Sequence, residues 1–538
     1  MDFVALILFL ALYYLRPQEW FAEFALLHPI QILSVLAIWA MVQKQNYKRL
    51  LQTPLDWLIL TYFGWTLICG FTPRHTFSGI QSVILFYFVS VCSLDTIPRL
   101  KKFLGWWCLF VFIIAALAVA TQFGFDPLNS NDLVSGTMKG RLVLNLSIFD
   151  NPNSLAHSII PAIPLFYYLV YWRRFVAKAW ILLLLVPLYC IYLTQSKGAF
   201  LCGFATVLAT LAFGRSKPVQ ILILVVAIGF GYGALYALPR MNELQHSKTD
   251  PAIQGRIAAF TYGLQLMRTN MFGIGLGNFE GTFLRQGPVE KVDVIRVLPA
   301  RHVPAGGNGQ TKELDEQRIH VISYKHYGKA THCAYNQNGA ELGYFGLFLF
   351  VGILYCCIRT LLLVKSMDDD EERIRRALFA LVVAYAASSW MVDFCYRPTF
   401  FLMVAAVSAF HRHLLATHAA GQLTVAETPA PDRRPAWYRR IPPINLPGIP
   451  LPGIESAVPA GCLAADITPP RPFALQQAPH PGAAGSGRVL DWHKPDSSLA
   501  SSLLKKFKWT QLGIMDYLII LALTYAATLY WQHLIATM

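Results

Sequence analysis

The chain has 538 residues, of which 55% are hydrophobic and only 14% charged, with a mean hydropathy of +0.44. So few charges at that length exclude a single water-soluble domain. The net charge of +15, from 45 Lys and Arg against 30 Asp and Glu, would point to nucleic acid in a soluble chain; here the basic residues fall between apolar runs and read as membrane topology, so no nucleic-acid partner is expected.

A helix needs about 20 predominantly apolar residues to cross the hydrocarbon core. Such runs fall at 2–15, 28–42, 55–71, 79–94, 103–121, 154–172, 179–194, 198–214, 218–238, 336–358, 376–392 and 398–415, with a last one at 512–531. They predict an all-α polytopic membrane protein of twelve or thirteen transmembrane helices. The first run has no basic n-region and no small-residue cleavage site, so it reads as a retained span. Cys69, Cys92, Cys108, Cys190, Cys202, Cys356, Cys357 and Cys395 sit within or at the ends of these runs, as packing residues and not as a disulfide framework.

Alternate connections carry the basic clusters. They hold Lys44, Lys48 and Arg49; Arg99, Lys101 and Lys102; Arg173, Arg174 and Lys178; Arg215 and Lys217; and Arg359, Lys365, Arg373, Arg375 and Arg376. The opposite short connections hold only Arg16, Arg74, Lys139, Arg141, Lys197 and Arg397, so the positive-inside rule places the N-terminus in the cytoplasm. Two long loops, 122–153 and 239–333, then fall outside. Residues 416–511 fall inside, hold fifteen of the 32 prolines and lack apolar periodicity, which reads as a disordered linker.

The large outer loop carries twelve basic against eight acidic residues, an excess suited to an anionic ligand. Within it GRIAAFTYGLQLM places Arg256, Phe260, Gly263 and Met267 on one helical face, predicting a helix lying along the membrane surface. An Arg there can donate two parallel hydrogen bonds to phosphate. The next segment, MFGIGLGNF, follows no strand and reads as a tight glycine turn, not a dinucleotide fingerprint. THCAYNQNGAELGYFG opens a span; on one helix His332, Asn336, Gly339 and Gly343 would share a face, with Glu341 roughly opposite His332. FDNPNSLA reads as an N-cap cluster of Asp150, Asn151 and Asn153, and TQSKGAF puts Ser196 and Lys197 in a short outer turn. MDDDEERIRR contains a D-x-D, but acid followed by base reads as a solvated helix start. The outer loops offer no compact carboxylate or His/Cys cluster, so neither a metal nor another cofactor is expected.

In this order NPNSLA, SKGAF, GRIAAF, FGIGLGNF and THCAYNQNGAELGYFG, together with the opening YLRPQEW, resemble the O-antigen ligase and O-antigen polymerase superfamily. The resemblance covers 1–415 and leaves out the Pro-rich segment and the last span. It implies a GT-C-like transferase of the bacterial inner membrane, with its active site facing the periplasm. Without a metal, such an enzyme moves a glycan from undecaprenyl diphosphate to an acceptor hydroxyl on a lipid, a glycan or a protein. Carried over, the family's essential basic residue, loop Arg and His fall on Lys197, Arg256 and His332: Arg256 and Lys197 for the diphosphate, His332 for the acceptor proton. Asn153, Asn336 and Glu341 stand as supporting residues. Two departures are visible: Lys197 where Arg is usual, and Cys333 where Asn commonly follows the His. Polymerisation and protein O-glycosylation are alternatives within the same chemistry. A transporter of an anionic lipid or solute is the reading from a different class, disfavoured by the lack of paired repeats and mid-span charges.

Overall fold

The computed structural model describes residues 2–70, 75–136, 138, 140–170, 179–237, 251–287, 290–297, 302–304, 311–313, 318–325, 330–364, 368–419 and 510–537. It is mostly helical. In chain order the helices are α1 Asp2–Leu15, α2 Pro17–Trp20, α3 Ala22–Leu26, α4 Pro29–Gln43, α5 Pro54–Cys69, α6 His75–Ser93 and α7 Ile97–Ala120. There follow α8 Ser130–Gly136, α9 Pro152–Ile159, α10 Ala162–Val170, α11 Leu185–Leu193, α12 Lys197–Ala212, α13 Lys217–Ala237, α14 Pro251–Thr269 and α15 Phe279–Gln286. The chain closes with α16 Ala334–Leu363, α17 Asp369–Ser388, α18 Pro398–Ala419 and α19 Ile514–Thr537. Between α15 and α16 the outer loop forms two antiparallel ribbons, Glu290–Val297 with Arg318–Lys325 and His302–Pro304 with Thr311–Glu313, which apolar periodicity gave no reason to expect.

The main body comprises Met1–Ala420 and Phe507–Met538; the predicted linker 416–511 begins within α18, which runs to Ala419, and its residues 420–509 lie outside the described residues. Among the described residues, four helices are long and apolar enough to cross a membrane: Ile97–Phe123, Ala334–Leu363, Pro398–Thr417 and Ile514–Thr537. Seven further apolar helical stretches of 10–17 residues among the described residues lie on other predicted runs, so the expected twelve or thirteen full-length spans are met in part. The shortfall has local causes. Run 154–172 divides into α9 and α10 around Ile160 and Pro161, where proline has no N–H for the helical ladder, and run 179–194 begins as a 3-10 segment.

The loops assigned to one side do meet at one end. Asp2 binds Lys44 (2.6 Å) and Arg99 (3.3 Å), Arg49 binds Asp95 (3.2 Å), Lys101 binds Asp370 (2.9 Å), and His413 meets Glu371 (3.1 Å). The Lys101 ammonium holds the Asp370 carboxyl below the usual carboxylate range. Glu372 pairs with Arg375 and Arg376, so the D-x-D segment is the acid-rich start of α17, tied to neighbouring cations. Arg359, counted with the loop charges, is instead buried inside α16 against Asp516 of α19 (2.6 Å). Arg173, Arg174, Lys178 and Lys365 lie outside the described residues.

α16 is broken at Gly343 (φ 71°, ψ −174°), a conformation open essentially to glycine alone. The carbonyls freed before the break are taken up one by one. Ile274 N–H donates to Ala340 (3.1 Å), Gly275 N–H to Glu341 (2.9 Å), and the Trp65 indole to Leu342 (2.8 Å). MFGIGLGNF is thus a tight turn, with Gly273, Gly275 and Gly277 all at positive φ, interlocked with the broken helix. A Cβ at Gly273 would strike the Glu341 carbonyl, and one at Gly343 the Met271 carbonyl.

Candidate functional site

α14 carries Arg256, half-buried, near its start. The face read from sequence is the one that packs: Asn336 donates to the Phe260 carbonyl (3.2 Å), Gly263 meets the Asn336 side chain, and Met267 meets Gly339. These pairs advance together along both chains. α14 therefore runs alongside the first segment of α16. Glycines at both crossing points are what let the backbones come this close.

His332 does not lie on α16. The helix begins at Ala334 with Cys333 as its N-cap, and His332 precedes it in a left-handed conformation (φ 51°), which His tolerates better than most side chains. The shared face with Asn336 is lost, because the turn ends the regular backbone before His332. What fixes this corner is the Ala334 N–H, which donates to the carbonyls of Ser389 (2.7 Å) and Val392 (3.0 Å) in the turn after α17.

That turn, 388–392, also meets the helices that bear Asn153 and Lys197. Gly198, next to Lys197, lies against Met391, with room for a Cβ only 3.0 Å from its Cγ. His157 of α9 makes a 2.9 Å hydrogen bond through Nδ1 to Ser388 Oγ. Ser196, the N-cap of α12, accepts from the Ala199 N–H and donates to Asn153 Oδ1 (2.8 Å). The same Asn153 oxygen accepts from Arg141 Nη2 (2.9 Å), while Arg141 Nε donates to the Thr194 carbonyl (3.0 Å). Asn151 caps α9 through the Asn153 N–H (2.9 Å), as the N-cap reading requires. Asn153 and His157 are four residues apart and share one face of α9.

Arg256 acts electrostatically on both His157 and Cys333. The corner bearing His332 and the helix bearing Asn153 are both tied to the 388–392 turn, Lys197 begins the helix that Ser196 ties to Asn153, and Arg256 reaches this cluster through its charge. Asn336 supports the site through α14. Glu341 does something else: its Oε1 accepts from the Phe279 N–H (3.1 Å) and from Gln337 (3.4 Å), locking the glycine turn to α16. Burial pushes the Cys333 thiol up to about 12, so it is no nucleophile at neutral pH.

Sequence reasoning missed three residues here. Arg141 was counted only as a scattered outer charge, yet its fork braces Asn153. His157 sits within the NPNSLA segment's helix, and its spacing from Asn153 was the available signal. Asp393, half-buried just after the 388–392 turn, puts a carboxylate charge near Cys333, and nothing in local sequence connects the two. At the foot of α14 lies an apolar groove of about 810 Å3, lined by Trp65, Met271, Tyr344, Phe345, Leu518 and Leu521 among others. No protein-family model, no curated protein and no solved structure matches the chain.

Proposed function

We propose that this chain is a polytopic membrane glycosyltransferase of the O-antigen ligase type. It moves a glycan from a polyprenyl diphosphate to an acceptor hydroxyl at the outer face. The observation that supports the reading is that the His332 corner and the helix of Asn153 and His157 both hydrogen-bond to the 388–392 turn, with Arg141 and the Ser196–Lys197 turn joined to Asn153 and the Arg256 charge acting on His157 and Cys333. Arg141 and Lys197 beside the first turn of α9, with the Arg256 charge acting on His157 of the same helix, make a cationic setting for a diphosphate, and the groove at the foot of α14, roughly 20 Å of helix from Arg256, offers apolar space for its tail.

The acceptor hydroxyl oxygen attacks the anomeric carbon. The new glycosidic C–O bond forms as the bond to the diphosphate oxygen breaks, and that oxygen leaves with the electron pair. Arg256 and Lys197 stabilise its growing charge, while His332 takes the acceptor proton. The transport reading is weaker for a specific reason. A broken helix can coordinate ions through its freed carbonyls, but Ala340, Glu341 and Leu342 already accept from Ile274, Gly275 and Trp65.

The test is release of polyprenyl diphosphate from a lipid-linked glycan by the purified protein. Arg256→Ala should lower turnover by about 100-fold or more, as removal of a preorganised charge donor does. Arg256→Lys should recover part of it, having charge without the fork. His332→Ala should lose transfer while still binding donor. Wild-type turnover in both alanine variants would discard this site.

A further inference from the structure

Resting on that transferase reading, we infer that α19, the C-terminal helix beyond the Pro-rich segment, is a positioning element of the candidate site, acting through Trp531 on Trp390 in the 388–392 turn. α19 looks at first like a peripheral anchor, since Leu518, Leu521, Tyr525 and Tyr530 are exposed along it. Two features contradict a peripheral role.

The first is its addressed docking. Near its start Asp516, fully buried, binds Arg359 of α16 (2.6 Å), accepts from the Tyr355 hydroxyl (2.8 Å) and caps the helix through the Gly513 N–H (2.8 Å). Arg359 also donates to the Gln511 carbonyl (3.1 Å). A buried charge pair fixes one register, because a slide by one residue would leave both ions unpaired. Ile520, also fully buried, packs against Gly352 at the next level.

The second is what that register delivers. Trp531, fully buried, meets Trp390 edge-on (5.6 Å between ring centres), and Tyr530 meets the same ring (6.0 Å). Trp390 in turn rests on Tyr335 (5.0 Å), three residues after His332. The Trp531 indole N–H is buried without a hydrogen-bond acceptor among the described residues, so the ring is held there for its faces. α19 also packs against α14, which bears Arg256. One helix thus braces both the turn that seats the His332 corner and the helix that carries the loop Arg. Misplacement by about 1 Å is enough to lower turnover on the order of 100-fold.

The experiment compares Trp531→Ala, Trp531→Leu and Trp531→Phe with the lipid-facing control Leu523→Ala, in the full-length protein reconstituted in lipid. Amide exchange at Ala334–Asn336 and Trp390–Val392 is followed alongside kcat and KM for lipid-linked glycan transfer. Trp531→Ala and Trp531→Leu should speed exchange at both segments and lower kcat about tenfold or more, with KM within about twofold. Trp531→Phe, which keeps an aromatic edge, should restore most of both, and Leu523→Ala should match wild type. Unchanged exchange in the Ala and Leu variants overturns the inference, and so does faster exchange with wild-type kcat. If the wild-type protein transfers no lipid-linked glycan, the transferase reading fails, while the exchange data still decide whether Trp531 braces the turn.

Discussion

Lys197 is the residue where the resemblance and the chemistry can be separated. It follows Ser196, whose hydroxyl is held by Asn153, so the backbone of the turn is fixed whichever cation stands there. Lys197→Arg should therefore leave folding unchanged and keep or raise turnover in the diphosphate-release assay, because the fork is added to an existing seat. Lys197→Ala should lower it. Cys333 tests the other departure. With its thiol pushed up by burial to about 12 and its side chain buried, Cys333 is a poor nucleophile at pH 8. Iodoacetamide at that pH should leave native Cys333 unlabelled and transfer intact, and labelling should appear only as the protein unfolds.

At the scale of elements, the break in α16 and the glycine turn are one device. The carbonyls released at Gly343 are the acceptors for the turn, and Glu341 supplies a side-chain acceptor to the same segment. Gly343→Ala should destabilise the protein by more than about 1–3 kcal/mol, since the backbone conformation alone costs that much and the new methyl would also strike the Met271 carbonyl. Gly277 is the comparison: it too has positive φ (73°) but open space where a Cβ would go. Gly277→Ala should cost only about 1–2 kcal/mol. Thermal unfolding in detergent measures both, and equal losses would show that contact with the turn contributes nothing.

At the scale of the whole molecule, the ion pairs among Asp2, Lys44, Arg49, Asp95, Arg99, Lys101 and Asp370 bring together connections that basic residues had assigned to one side. Reporter fusions after Lys102 and Arg376 should read cytoplasmic, and those near Asn131 and Gly307 periplasmic; the reverse pattern would turn the candidate site inward. Deleting 420–500 should preserve insertion and transfer, because the Asp516 and Trp531 contacts of α19 remain. Loss of transfer in a correctly inserted deletion protein would make the Pro-rich segment part of the site.

Run lengths in the sequence located the long apolar helices, because burial of apolar side chains acts along the chain, whereas the short helices α2, α3, α8 and α15 carry no such run. The packing face of α14 and the glycine character of MFGIGLGNF were legible for the same reason: helical periodicity and positive φ are local properties. What local pattern could not carry is contact. The 388–392 turn, Arg141 on Asn153, His157 on Ser388 and Asp516 on Arg359 join residues distant in sequence, and no periodicity encodes such pairs. His332 shows the same boundary from the other side. A helix extended back from Asn336 would include it, but the Ala334 N–H is held by Ser389 and Val392, and that tertiary bond fixes the helix start two residues after His332.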